Sequence, residues 1–137
     1  MLVALAGQPN VGKSTVFNLL TGLSQHVGNW AGKTVEKKTG VHHHGAWELE
    51  LVDLPGTYSL SASSEEELVA RDYLLTERPD VVVVVINAAA LERHLYLVAE
   101  LLPLPVRLVV ALNMVDVASR EGGSLDVVAQ QRALGEP

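Results

Sequence analysis

The chain has 137 residues, 48% of them hydrophobic and 19% charged. That is enough apolar material for one folded domain, and it excludes wholesale disorder. Ten basic and 16 acidic side chains give a formal net charge of -6, which argues against broad nucleic-acid binding through a basic surface. Cysteine is absent, so a disulfide scaffold, a thiolate metal site and a cysteine nucleophile are excluded.

Short apolar runs alternate with longer amphipathic stretches. This predicts an α/β fold, with a mostly parallel sheet and helices on both faces. A first strand is expected over Leu2–Ala6, then a Gly-rich turn and a helix over Lys13–Thr21. Ser24–Val35 has no clear period and is expected to be a long loop. Glu36–His43 and Trp47–Asp53 read as strands joined by a tight turn at Gly45. Within the second, Trp47, Leu49 and Leu51 alternate with Glu48 and Glu50.

A polar loop is expected over Leu54–Ser64, then a helix over Glu65–Thr76 with Ser63 or Ser64 as its cap. Glu65, Glu66 and Glu67 read as a solvated helix start favoured by the dipole. Val81–Ile86 reads as a central strand buried on both faces. A helix over Leu91–Leu102, stopped by Pro103, leads to another buried strand over Val106–Leu112. A last helix is expected over Ser124–Leu134. No apolar run approaches the ~20 residues that a membrane-spanning helix needs.

Gly7-Gln8-Pro9-Asn10-Val11-Gly12-Lys13-Ser14 matches G-x-x-x-x-G-K-[ST] between a strand and a helix, the context the motif requires. Gly7 and Gly12 let the backbone wrap phosphate oxygens without a Cβ clash. Successive N–H groups, including those leading into Thr15, meet the positive end of the helix dipole. Lys13 is expected to place its ammonium on the β- and γ-phosphates, and Ser14 its hydroxyl on Mg²⁺.

Asn113-Met114-Val115-Asp116 follows a strand at the carboxyl end of the sheet and resembles the N-K-x-D base motif, with Met114 for Lys. Asp116 can accept from guanine N1–H and the exocyclic amine, whereas adenine offers neither donor in that place. Two such charge-assisted bonds, ~1.5–3 kcal/mol each, discriminate strongly. Asn113 can contact the base, and the Met114 side chain can lie over its plane. The weaker alternative is a capped turn with a solvated Asp116.

Asp53-Leu54-Pro55-Gly56 matches D-x-x-G after a strand. Asp53 is expected to hold Mg²⁺ through water and the Gly56 N–H to bond the γ-phosphate. Thr34, in the loop after the first helix, is the expected second Mg²⁺ hydroxyl. Thr57 stands where Ras-type GTPases carry a water-positioning Gln, so hydrolysis is expected to be slow or the water differently oriented. Thr57 is either a helper in that step or a plain turn residue.

Together with the phosphate loop, Val27-Gly28-Asn29-Trp30-Ala31-Gly32-Lys33-Thr34-Val35-Glu36, Asp53-Leu54-Pro55-Gly56-Thr57-Tyr58-Ser59-Leu60 and Asn113-Met114-Val115-Asp116 resemble the cytosolic G domain of the prokaryotic ferrous iron transporter family FeoB. The resemblance spans nearly the whole chain. It implies a Ras-like P-loop GTPase fold that binds GTP and GDP with Mg²⁺ and hydrolyses GTP in support of Fe²⁺ uptake. It implies as partners a membrane permease domain of the same polypeptide and a following helical domain, with self-association allowed and no nucleic acid. It places such a domain at the cytoplasmic face of the bacterial inner membrane, as a soluble part of a longer membrane protein. In some members K⁺ activates, held by a phosphate-loop Asn and carbonyls of the first switch. Here those would be Asn10 and the carbonyls of Gly28 and Trp30.

The chain departs from the family pattern at Gln8, Ala31 and Lys33. The Gln8 side chain is expected to point away from phosphate, and Lys33 to be solvated. Trp30 is expected to be exposed. His42, His43 and His44 invite a metal reading, but adjacent strand residues face opposite ways and no third ligand is near in sequence. The rival function is a soluble GTPase of the Era or MnmE type in RNA or ribosome maturation, which should carry a basic extension. Compared with a complete domain of this type, 1–137 is expected to lack the last strand and helix. That leaves an open sheet edge beyond the Val106–Leu112 strand.

Overall fold

A computed structural model describes residues 1–9, 11–61 and 63–113. Asn10, Met114, Asp116 and the expected Ser124–Leu134 helix lie outside the described residues. Nine elements follow in order: β1 Leu2–Gly7, α1 Lys13–Thr21, β2 Gln25–Asn29, β3 Glu36–His44, β4 Trp47–Asp53, α2 Glu65–Thr76, β5 Val81–Asn87, α3 Leu91–Leu101 and β6 Arg107–Asn113. A 3₁₀ turn over Ala88–Ala90 leads into α3, and the Asn87 side chain caps it by accepting from the Ala89 N–H at 2.8 Å.

The six strands form one sheet in the order β2-β3-β4-β1-β5-β6. β4, β1, β5 and β6 run parallel, and β2 and β3 are antiparallel additions at one edge. The chain leaves β1 toward β2, β3 and β4 on one side and later reaches β5 on the other. The carboxyl end of β1 is therefore the switch point of the topology, where open α/β sheets place ligands.

Alternation along the strands sends side chains to two cores. Ala4, Ala6, Val52, Val82, Val84, Ile86, Leu108 and Val110 pack with Ala70, Tyr73 and Leu74 of α2 and Leu97, Val98 and Leu101 of α3. On the opposite face Val3, Leu5 and Leu51 pack with Phe17 of α1. Helices thus lie on both faces.

Three expectations are corrected. The Ser24–Val35 stretch is not all loop, because Gln25–Asn29 pairs with β3 from Gln25↔Gly40 to Asn29↔Glu36. This edge strand buries almost nothing, and Val27 is exposed, so no buried face imposed an alternating pattern. Val81–Ile86 is buried on both faces only over Val84–Ile86, since Val81 and Val83 are partly covered on the α1 face. β6 behaves likewise: Leu108 and Val110 are buried, while Val109 and Ala111 are partly exposed. Among the described residues α1 covers β1, β3 and β4, and β6 is an edge.

Candidate functional site

The turn after β1 enters α1 through Gly12, whose φ of +90° is a left-handed conformation that suits glycine. No side chain caps α1 and its first turn has no acidic residue, so its leading N–H groups point outward without a competing carboxylate. Gln8, Pro9, Val11, Gly12, Lys13, Ser14 and Gly56 line a cavity of about 460 Å³. The phosphate loop and the D-x-x-G loop therefore meet in space as the motif spacing predicted. Ser14 and Thr15 are exposed in the first turn of α1.

The two loops are locked together. The Thr57 N–H donates to the Gly7 carbonyl at 2.9 Å, and the Leu54 N–H to the Leu5 carbonyl at 3.0 Å. A Cβ on Gly56 would come within 2.9 Å of Pro9 Cα, so only glycine permits this approach. Thr57 is buried. Lys13 Nζ donates to the Asp53 carboxylate, and both side chains are 9% exposed. Gln8 turns away as expected, donating through Nε2 to the Arg93 carbonyl at 2.7 Å and tying the loop to α3.

The segment around Thr34 lies elsewhere. Trp30 and Val35 close the β2–β3 hairpin, with the Trp30 N–H donating to the Val35 carbonyl and the Lys33 N–H to the Trp30 carbonyl. Thr34 is exposed, and its N–H donates to Glu65 at 3.2 Å. Gly28 sits in the ladder opposite Lys37. Thr34, Gly28 and Trp30 therefore do not line the phosphate-loop cavity in this conformation. Trp30 is not exposed as expected. Its ring packs edge-on to Tyr73 at 5.5 Å, because the hairpin folds it over the α2 core. His42 Nδ1 lies 2.8 Å from the Leu20 carbonyl, while His43 and His44 pair across the ladder with Glu48 and Trp47.

The acidic start of α2 is not merely solvated. Ser64 caps the helix by accepting from the Glu67 N–H at 3.1 Å. The Glu67 carboxylate accepts from the hydroxyls of Ser59, Ser61, Ser63 and Ser64 at 2.5 to 3.3 Å. Glu100 of α3 accepts from the Leu60 N–H. Carboxylates from two helices thus hold the segment after D-x-x-G. The spacing Ser59-x-Ser61-x-Ser63-Ser64 ahead of Glu67 was the available signal for the first anchor, and no local pattern marked Glu100.

These bonds, first from Ser59 and then from Ser63, hold the Glu67 carboxyl down to about 2 from an ordinary 4.5. The folded value is depressed, so the stabilisation is present above pH 4.5 and is lost as the pH falls toward 2. An NMR titration of the Glu67 carboxyl carbon should show a midpoint near 2 in the wild type. The midpoint should move up toward 4.5 in Ser59→Ala/Ser63→Ala.

The family model described as Ferrous iron transport protein B matches residues 1–137. A Fe(2+) transport protein A/Fe(2+) transporter FeoB fusion protein from Porphyromonas gingivalis is 48% identical over 136 residues, covering 98% of this chain and 16% of the relative. The chain spans about one sixth of the length of the curated relatives it matches. Among solved structures, the G domain of T. maritima FeoB superposes with a TM-score of 0.90 at 46% identity, covering 100% of this chain and 84% of that one. The cytosolic domain of T. maritima FeoB in a GMPPNP form gives 0.95 at 46% identity, covering 100% and 54%.

Proposed function

The chain belongs to the ferrous iron transport protein B family, and from that premise we propose that it is the guanine-nucleotide-binding and GTP-hydrolysing switch domain of a membrane ferrous iron transporter. One observation carries the reading: the phosphate loop, Gly56 and the Lys13–Asp53 pair converge at the carboxyl end of β1. The GMPPNP form of the T. maritima cytosolic domain supports a guanine nucleotide as the ligand.

In this reading Gly7, Gln8, Asn10, Val11, Gly12 and Thr15 offer backbone N–H groups to the phosphates, and Pro9, which has none, shapes the turn between them. Lys13 leaves Asp53 to contact the β- and γ-phosphates. Ser14 and Asp53 are hard oxygen donors beside the cavity, the set that Mg²⁺ prefers. When bound there it neutralises charge developing on the transferred phosphoryl group. Gly56 donates its N–H to the γ-phosphate, and Thr57, seated on Gly7, fixes that N–H in place.

Thr34 reaches the nucleotide only after its N–H leaves Glu65 and the hairpin swings. The same movement is needed before the carbonyls of Gly28 and Trp30 can join Asn10 around K⁺. The base is read by Asn113, Met114 and Asp116. The acidic charge of the chain disfavours the rival RNA-maturation reading.

Phosphate release from GTP in K⁺ and in Na⁺ tests the catalytic part. Release that is faster in K⁺ and loses that advantage in Asn10→Ala is expected. Equal release in both salts removes the role of Asn10, and no release in either removes hydrolysis.

A further inference from the structure

A larger open cavity of about 530 Å³ lies between the β2–β3 hairpin and α2, away from the phosphate loop. Leu2, Val52 and Val69 give it apolar walls. Trp30 closes the hairpin side, with Lys37 Nζ 4.7 Å from the ring centroid. The Trp30 Nε1 is buried and has no hydrogen-bond partner among the described residues. A buried donor left unmade costs ~1–3 kcal/mol, so an acceptor supplied here is favoured.

The opposite side is acidic. Glu50, Asp72 and Glu77 line it around Tyr73. Asp72 has Arg71 at 4.0 Å, whereas Glu50 and Glu77 form no ion pair among the described residues. Burial, then the charges of Glu77 and Glu50, push the Tyr73 phenol up to about 12, so it stays protonated at neutral pH. The cavity therefore combines an unmet donor, apolar walls and an acidic side on which Glu50 and Glu77 make no ion pair among the described residues, with Lys33 and Lys37 lining the hairpin side.

We propose that this groove docks a basic peptide segment from the membrane part of the same transporter, with an Arg or Lys side chain on Glu50 and Glu77 and a backbone carbonyl on Trp30 Nε1. The proposal rests on the function proposed above, because the cytoplasmic loops of membrane proteins carry an excess of Lys and Arg. The groove is also built from two elements that nucleotide would move. One wall is the hairpin that Glu65 holds at Thr34, and the other is the helix that follows the D-x-x-G segment. Docking and nucleotide state are then coupled through the same parts.

The test uses the whole 137-residue chain carrying Trp47→Phe, which leaves Trp30 as the sole tryptophan. The probe is the peptide acetyl-Gly-Leu-Arg-Leu-Arg-Gly amide, titrated against Trp30 emission. A saturable change is expected. Glu50→Gln/Glu77→Gln should weaken it at least about tenfold. Glu48→Gln/Glu92→Gln removes the same charge outside the groove and should leave binding within about twofold. Equal weakening by both pairs, or no saturable change, overturns the proposal. Fluorescent GDP binding to the same protein reads the proposed function separately. GDP bound without peptide sinks the groove alone, and loss of GDP binding sinks the function.

Discussion

Lys13→Met is expected to weaken nucleotide binding and to destabilise the fold, and adding Asp53→Asn is expected to restore stability without restoring affinity. Lys13 and Asp53 form a buried ion pair, each side chain 9% exposed. Removing one partner of a buried pair leaves an uncompensated charge, at a cost of ~3–5 kcal/mol. For a chain of this size that lowers the melting temperature by roughly 10–20 °C. Neutralising the second partner removes the orphan charge, so Lys13→Met/Asp53→Asn should melt within a few degrees of the wild type.

Affinity follows a different rule. Lys13 is the ammonium proposed for the β- and γ-phosphates, and each charge-assisted bond lost is worth ~1.5–3 kcal/mol. GDP offers only the β-phosphate to Lys13, so its binding should weaken at least about tenfold in both variants. Thermal unfolding and calorimetric titration with GDP separate the two effects. A Lys13→Met protein as stable as the wild type would mean that the pair carries no stability. A double variant that binds GDP normally would remove Lys13 from the site.

Phe17→Ala should cost ~3–5 kcal/mol and weaken GDP binding well below the melting temperature. The core on the α1 face is small. Phe17 is fully buried against Val3, Leu5 and Leu51, and it is the fully buried residue that α1 gives to that cluster, with Leu20 partly buried beside it. It stands four residues after Lys13 on α1, so both lie on one side of the helix. A cavity at Phe17 unseats the helix whose N-terminus is proposed to hold phosphate. Phe17→Leu keeps most of the volume and should give a milder loss of both stability and affinity. Full GDP affinity in a destabilised Phe17→Ala protein would show that the loop is positioned independently of this contact.

The parts of the site that depend on local chemistry were legible in the sequence. The phosphate loop is one short motif whose glycines, lysine and serine have separate physical jobs, and its strand and helix neighbours are periodic. The serine cap of α2 was equally readable, whereas its acidic start, read as solvated, carries the Glu67 anchor. β2 was not readable, because an exposed edge strand has no buried face to impose alternation, and Gln25–Asn29 shows none.

Nor could the second anchor of the D-x-x-G segment be read. Glu100 meets the Leu60 N–H across 40 residues, and no local pattern marks that contact. The position of Trp30 escaped for the same reason. Exposure was expected from its loop setting, yet Tyr73 on a distant helix supplies its packing surface. The Lys13–Asp53 pair joins two motifs that the sequence reading assigned only to phosphate and metal.

Guanine recognition by Asp116 is tested most directly by competition binding of GDP, ADP and XDP to the wild type and to Asp116→Asn. Two charge-assisted bonds from Asp116 to the base predict a preference for GDP over ADP of at least about a hundredfold. They also predict that Asp116→Asn transfers the preference to XDP. Comparable affinities for GDP and ADP in the wild type, or a GDP preference unchanged in Asp116→Asn, would contradict it.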